Sequence, residues 1–136
     1  MNTDRHGLRH EEQTERIIKV FYDVYNELGH GFLESVYERA MEIALIQEGM
    51  AVQRQVKLRV MLRGQSAGEF IADMLINGCV MLKLKSTAHL DRSHEAQVLN
   101  QLRATEIEVG LLCNFGTRAE FKRLIFTNDR KTGFKP

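Results

Sequence analysis

A chain of 136 residues is the size of one domain and can bury enough surface to fold without a disulfide or metal staple. Nineteen basic against 18 acidic residues leave a net charge of +1, which argues against a broad cationic surface for duplex DNA but not against a small polar site. Ten glycines, one proline and the lack of a long apolar run exclude collagen-like, proline-rich and bilayer-spanning classes.

Residues 1–12 read as a flexible polar lead-in without the apolar stretch of a secretory signal. Cys79 and Cys113 are far apart and lack CxxC spacing, so reduced, packed thiols and a cytoplasmic placement are expected. From Thr14, the residues Ile17, Ile18, Phe21, Val24, Tyr25 and Leu28 recur at helical spacing, and Gly29-His30-Gly31 ends the helix. Leu33, Val36, Tyr37, Ala40, Met41, Ala44 and Leu45 give the stripe of a second helix, closed by Gly49, so the two form a helical hairpin. Val56 to Leu62 alternates as a half-buried strand, residues 63–68 read as a turn, and Glu69 to Ile76 is a second strand. Asn77-Gly78 signals a hairpin into a third strand, Cys79 to Lys85, whose near-continuous apolar run suits a central position. After a loop, Ser93 to Ala104 reads as a helix opened by Ser93, Ile107 to Cys113 as a strand, Asn114-Phe115-Gly116 as a turn, and Lys122 to Thr127 as the last strand. A helix between the third and fourth strands implies a parallel crossover, hence an α/β fold with a central mixed sheet flanked by helices. The domain is expected over residues 13–127, with a frayed tail over 128–136.

Several polar residues interrupt apolar patterns. Asp73 lies inside the second strand, Lys83 and Lys85 end the third, Glu34 opens the second helix, and Gln97 lies in the third. A strand carboxylate, a lysine on its hairpin partner and a helix carboxylate suit phosphodiester cleavage. The acids would hold a divalent ion that activates water, and the lysine would offset developing charge. Each residue also has a plainer reading. Asp73 could pair structurally with either lysine, Glu34 could be a first-turn acid, and Gln97 could be an exposed helix residue. Tyr37 reads as core. Lys57, Arg59 and Arg63 read as a solvated strand face or as a phosphate path. His6, His10, His30, His89 and His94 lack zinc spacing.

Gly31-Phe32-Leu33-Glu34-Ser35-Val36-Tyr37 resembles the signature of the GxxExxY protein family. Leu28-Gly29-His30-Gly31, the segment from His94 to Asn100, Arg103-Ala104-Thr105 and the segment from Val109 to Gly116 resemble it too, in the same order. The resemblance implies a PD-(D/E)XK nuclease-like core with an N-terminal helical hairpin, an ancestral metal-dependent phosphodiester hydrolase acting on nucleic acid. It implies Glu34 as the helix acid, Asp73 as the strand acid, Lys85 as the lysine of an acidic-x-Lys element and Gln97 as the helix glutamine. Glu34 and Asp73 would be the metal ligands if binding is retained, with Mg²⁺ or Mn²⁺ as the cofactor.

Two positions depart from the pattern. Lys83 stands where the second strand acid is expected, and Gln101 where a tyrosine is common. With Lys83, the four charges of the site sum to zero instead of −2. An ammonium about 5 Å from a divalent ion repels it by roughly 6–7 kcal/mol at an effective dielectric of about 20, and a quarter of that weakens metal binding about tenfold. Catalysis is therefore expected to be weakened or lost, with weak nucleic-acid binding, no membrane association and a homo-oligomer as a further option. The alternative is a non-catalytic interaction or scaffold protein that keeps the fold. Register adds a geometric condition. A two-residue Asn77-Gly78 turn puts Asp73 and Lys83 on opposite faces, whereas a three-residue loop or a bulge puts them on one.

Overall fold

The computed structural model describes residues 10–131. Its elements, in chain order, are α1 (Glu11–Leu28), α2 (Glu34–Gln47), β1 (Val52–Leu62), β2 (Gln65–Ile76), β3 (Val80–Lys85), α3 (Arg92–Arg103), β4 (Val109–Phe115) and β5 (Ala119–Ile125). The strands form one sheet in the order β1-β2-β3-β4-β5. All neighbours are antiparallel except β3 and β4, which are parallel and joined through α3. This is an α/β architecture with a mixed sheet between helices, as the resemblance implies.

The helical hairpin covers one face of the sheet. Ile17, Val20, Phe21 and Val24 of α1 and Tyr37, Met41 and Leu45 of α2 pack on Met74, Ile76, Leu82, Leu84 and the alternate residues Val109 to Phe115. Each large side chain fully buried there contributes about 1.5–3 kcal/mol. On the opposite face, Val98 and Leu102 of α3 pack on Leu75, Met81 and Leu112. The expected α2 stripe is partly wrong. Leu33 is 74% and Val36 40% exposed. A helix apolar on more than one side leaves its orientation to its neighbours, and α2 turns Tyr37, Met41 and Leu45 inward.

Several boundaries also move. β1 starts four residues and β2 four residues earlier than the pattern suggests, because the polar segment around residues 63–68 is mostly paired strand with a turn at Arg63-Gly64. β5 starts at Ala119 and ends at Ile125. α3 is capped by Asp91, not opened by Ser93. The Asp91 carboxylate accepts from Ser93 N at 2.9 Å and His94 N at 3.2 Å, and His94 Nδ1 accepts from Asp91 N at 3.1 Å. A histidine does here what Glu or Gln does in the usual capping box. α1 begins at Glu11, inside the expected lead-in, while residues 1–9 lie outside the described residues. The tail is ordered further than expected. Asn128–Arg130 is a 3₁₀ turn, and the buried Lys131 donates to Thr105 O at 2.8 Å and Ile107 O at 2.9 Å. Residues 132–136 lie outside the described residues.

One irregularity positions the site. Val52 packs on the helical-hairpin side, yet Val56 and Leu58, of the same strand parity, pack on the α3 side. On β2, Met74 packs on the helical-hairpin side and Ala72 on the α3 side. Both strands therefore change faces between these residues, at Gln55 and Asp73. Gln55 stands at φ 52°, a left-handed conformation costly for a non-glycine residue within a strand.

Candidate nuclease-type site

β2 and β3 pair only through Met74–Ile76 and Val80–Leu82. Beyond that point β2 stays with β1, and a fork opens. The Leu84 N–H that faces the fork donates to Asp73 Oδ2 at 2.9 Å. The turn at the base of the hairpin is the three-residue form. Asn77 and Gly78 both have positive φ, Cys79 N donates to Ile76 O at 3.0 Å, and Ile76 pairs with Val80. The odd count brings Asp73 and Lys83 together, with Lys83 Nζ 3.6 Å from Asp73 Oδ1 and both side chains about one-fifth exposed. That is a contact of charges rather than a hydrogen bond.

Glu34 reaches the fork from the helical-hairpin side. Gly29, at φ 71°, caps α1, and the turn that follows is held by Tyr37. The buried Tyr37 hydroxyl donates to Gly29 O at 2.6 Å and accepts from Phe32 N at 3.2 Å, while its ring stacks on Phe115 at 4.0 Å. Tyr37 is thus core, as its place on the apolar stripe indicates, and it also fixes the turn that launches Glu34 one helical turn earlier. Glu34 Oε2 accepts from Ser86 N at 3.3 Å, just past the end of β3.

A cleft of about 200 Å³ is lined by Glu34, Ser35, Glu38, Gln55, Asp73 and Leu84. Glu34 and Asp73 therefore share one opening. Lys83 meets Asp73 from the α3 side, since it shares strand parity with Met81. Lys85 shares that face of β3, about 7 Å further along, half-buried and with no ion-pair partner among the described residues. Gln97 is exposed on α3 and does not line the cleft. A larger hollow of about 430 Å³, at the opposite end of β3, is lined by none of these residues.

Glu38 and Gln55 are cleft residues that the sequence reading missed. Glu38 accepts from Arg54 Nη2 at 2.8 Å and from Gln55 Nε2 at 2.7 Å. Its spacing four residues after Glu34 was a usable signal for a shared helix face. Nothing in the local pattern marks Gln55, whose place depends on the left-handed kink.

The loop after β3 is fastened from β4. Asn114, fully buried and paired in register with Lys85, accepts from Thr87 N at 2.9 Å and donates to Thr87 O at 3.0 Å and to Glu120 Oε1 at 3.1 Å. Glu120 also accepts from Leu90 N at 3.3 Å, and the Asn114 amide holds its carboxyl below the usual range. Gly116 packs against the same loop so closely that an added Cβ would lie 2.4 Å from Thr87 O.

Residues 11–124 match the model of the PD-(D/E)XK nuclease superfamily. The chain belongs to that superfamily. It is similar to a solved structure titled "Crystal structure of SSO0001", with 16% identity and a TM-score of 0.56, over 90% of this chain and 63% of that one. That likeness concerns the fold, and the chain spans less than two-thirds of the other's length. No curated protein matches the sequence. Among the described residues, no helix is long and apolar enough to cross a membrane.

Nucleases of this superfamily typically use divalent metal ions. The donor set here does not suit one. Asp73 is engaged by Leu84 N on one oxygen and faces the Lys83 ammonium with the other. Both oxygens of Glu38 are taken by Arg54 and Gln55. Among the described residues no three His, Cys, Asp or Glu side chains are grouped to hold one ion.

Proposed function

We propose that this is a member of the GxxExxY branch of the superfamily, descended from a metal-dependent phosphodiester hydrolase acting on nucleic acid, with catalysis weakened or lost. The observation that carries the reading is the Lys83 ammonium 3.6 Å from Asp73 Oδ1. A cation fixed by the fold stands beside the strand acid, where a ligand for a mobile cation is expected. Glu34 and Asp73 are then the retained acids and Lys85 the retained lysine that offsets charge at a phosphate, while Gln97, outside the cleft lining, keeps only the substrate-orienting role that the resemblance implies for an active enzyme. Gly31, Glu34 and Tyr37 support the branch assignment, because the Tyr37 hydroxyl ties down the turn that contains Gly31.

The test is cleavage of DNA and RNA with Mg²⁺ or Mn²⁺, before and after Lys83→Glu. The expected result is little or no cleavage by the unaltered protein and a gain in the variant that disappears on adding Asp73→Ala. Robust metal-dependent cleavage by the unaltered protein, lost on Asp73→Ala, overturns the reading.

The second reading, an interaction or scaffold protein, draws on the outward apolar residues of the α2 region. Phe32 is 46%, Leu33 74% and Ile46 52% exposed. A homo-oligomer through this face would appear by light scattering as a mass above 15.7 kDa that Leu33→Glu lowers.

A further inference from the structure

The hollow of about 430 Å³ at the other end of β3 from the fork falls within the roughly 300–1,000 Å³ of small-molecule sites. Leu58 of β1, Leu75 of β2 and Ile107, ahead of β4, supply its apolar lining. Arg59 and Glu106 line it too, one from the edge strand and one from the connection between α3 and β4. Neither side chain has a hydrogen bond or an ion pair among the described residues, although Glu69 stands opposite Arg59 in the β1–β2 register. The wall that carries Glu106 is held firmly. Glu106 O accepts from Asn128 Nδ2 at 3.1 Å. Lys131, close enough to feel the Glu106 charge, donates to the carbonyls on either side, Thr105 O at 2.8 Å and Ile107 O at 2.9 Å. A wall fixed in this way loses little freedom when a ligand arrives. A free guanidinium suits an anion, a free carboxylate suits a cation, and an apolar lining suits a hydrocarbon group.

We propose that this hollow binds a zwitterionic α-amino acid with a large apolar side chain, its carboxylate on Arg59, its ammonium on Glu106 and its side chain on Leu58, Leu75 and Ile107. Arg59 and Glu106 line one hollow without an ion pair between them, which leaves the gap that the two charges of such a molecule fill. The site shares no residue with the cleft at the fork, so it stands or falls apart from the nuclease reading. Cys79 also lines the hollow and is half-buried, while the other thiol, Cys113, is wholly buried. Alkylation of Cys79 therefore reports whether the hollow is filled.

The test is the rate at which N-ethylmaleimide labels Cys79 at neutral pH, followed by intact mass, with L-phenylalanine as the probe. Labelling should slow saturably with L-phenylalanine and not with glycine, which lacks the apolar group. 3-Phenylpropionate, without the ammonium, and phenethylamine, without the carboxylate, should each bind about tenfold more weakly, the loss of one charge-assisted contact. Arg59→Met should weaken L-phenylalanine about tenfold and leave phenethylamine unchanged. Glu106→Gln should weaken it about tenfold and leave 3-phenylpropionate unchanged. No saturable protection by L-phenylalanine overturns the proposal. Equal protection by glycine, phenethylamine or 3-phenylpropionate overturns it too, since one of the three contacts then contributes nothing. So do folded charge variants that weaken every probe alike or none. Should a variant fail to fold, the ligand series on the unaltered protein still decides.

Discussion

Two polar clusters sit at the same end of adjacent parallel strands, and they differ in how completely they are satisfied. At the end of β4, Asn114 is fully buried, its carbonyl and amine both have partners, and its neighbour Glu120 serves Asn114 and Leu90 together. At the end of β3, in register with it, Lys85 has no ion-pair partner among the described residues and Lys83 stands off Asp73 at 3.6 Å. A buried polar group whose partners are all within the chain holds structure together. One with capacity left over is poised to meet something from outside. Polarity within an apolar strand marks both, and only saturation tells them apart.

The contrast breaks most readily at the saturated end. Asn114→Ala should destabilise the protein by about 3 kcal/mol, since Thr87 and Glu120 lose their partners in a buried setting. Urea unfolding that shows less than about 1 kcal/mol would remove the basis of the contrast. Gly116→Ala should cost about 2 kcal/mol, because the added carbon meets the backbone oxygens of Thr87 and Ala88 and the Asn114 amide, which its own hydrogen bonds hold in place.

A third lysine, Lys131, is buried and donates to two carbonyl oxygens, and desolvation pushes it down to about 8 against nearby Glu108 and Glu106, which raise it. The unfolded chain, with lysine near 10.5, then holds more protons than the folded one between about pH 8 and 10.5. Stability should therefore rise with pH across that window, by about 1–2 kcal/mol between pH 8 and 9.5, and not in Lys131→Met. Denaturation midpoints of the two proteins at each pH check the sign. Tyr37→Phe should cost about 1 kcal/mol by releasing Gly29 O and Phe32 N, with the ring packing on Phe115 kept. The smallest effect is expected at the unsaturated end. Asp73→Asn should change stability by less than about 0.5 kcal/mol, because its contact with Lys83 is a partly exposed pair and Leu84 N–H keeps an acceptor. A loss above about 2 kcal/mol would make Asp73 a structural residue like Asn114.

The element order and the mixed sheet were legible in the sequence, because helical and strand periodicities are local and the long elements repeat them often enough to be read. Phe21, Met41 and Leu82 declare their burial through their neighbours in sequence. The orientation of α2 was not legible, since Leu33 and Val36 are as apolar as Tyr37 and Met41, and only packing on α1 and the sheet selects a side. The polar segment around residues 63–68 and the start of β5 pair through backbone groups that carry no side-chain signal.

The same division runs through the site. Sequence alone singled out Glu34, Asp73, Lys83, Lys85 and Gln97 as polar breaks in apolar patterns or by resemblance, and it posed the register condition. Tertiary structure decided which of them meet. The extra residue Cys79 in the hairpin turn puts Asp73 and Lys83 within reach, the kink at Gln55 opens the fork, and Glu38 enters the cleft while Gln97 stays outside its lining. Composition could say only that the chain is nearly neutral. The fold places that neutrality at one point, a lysine beside the strand acid, because parity and turn length, not charge count, fix which side chains share a face.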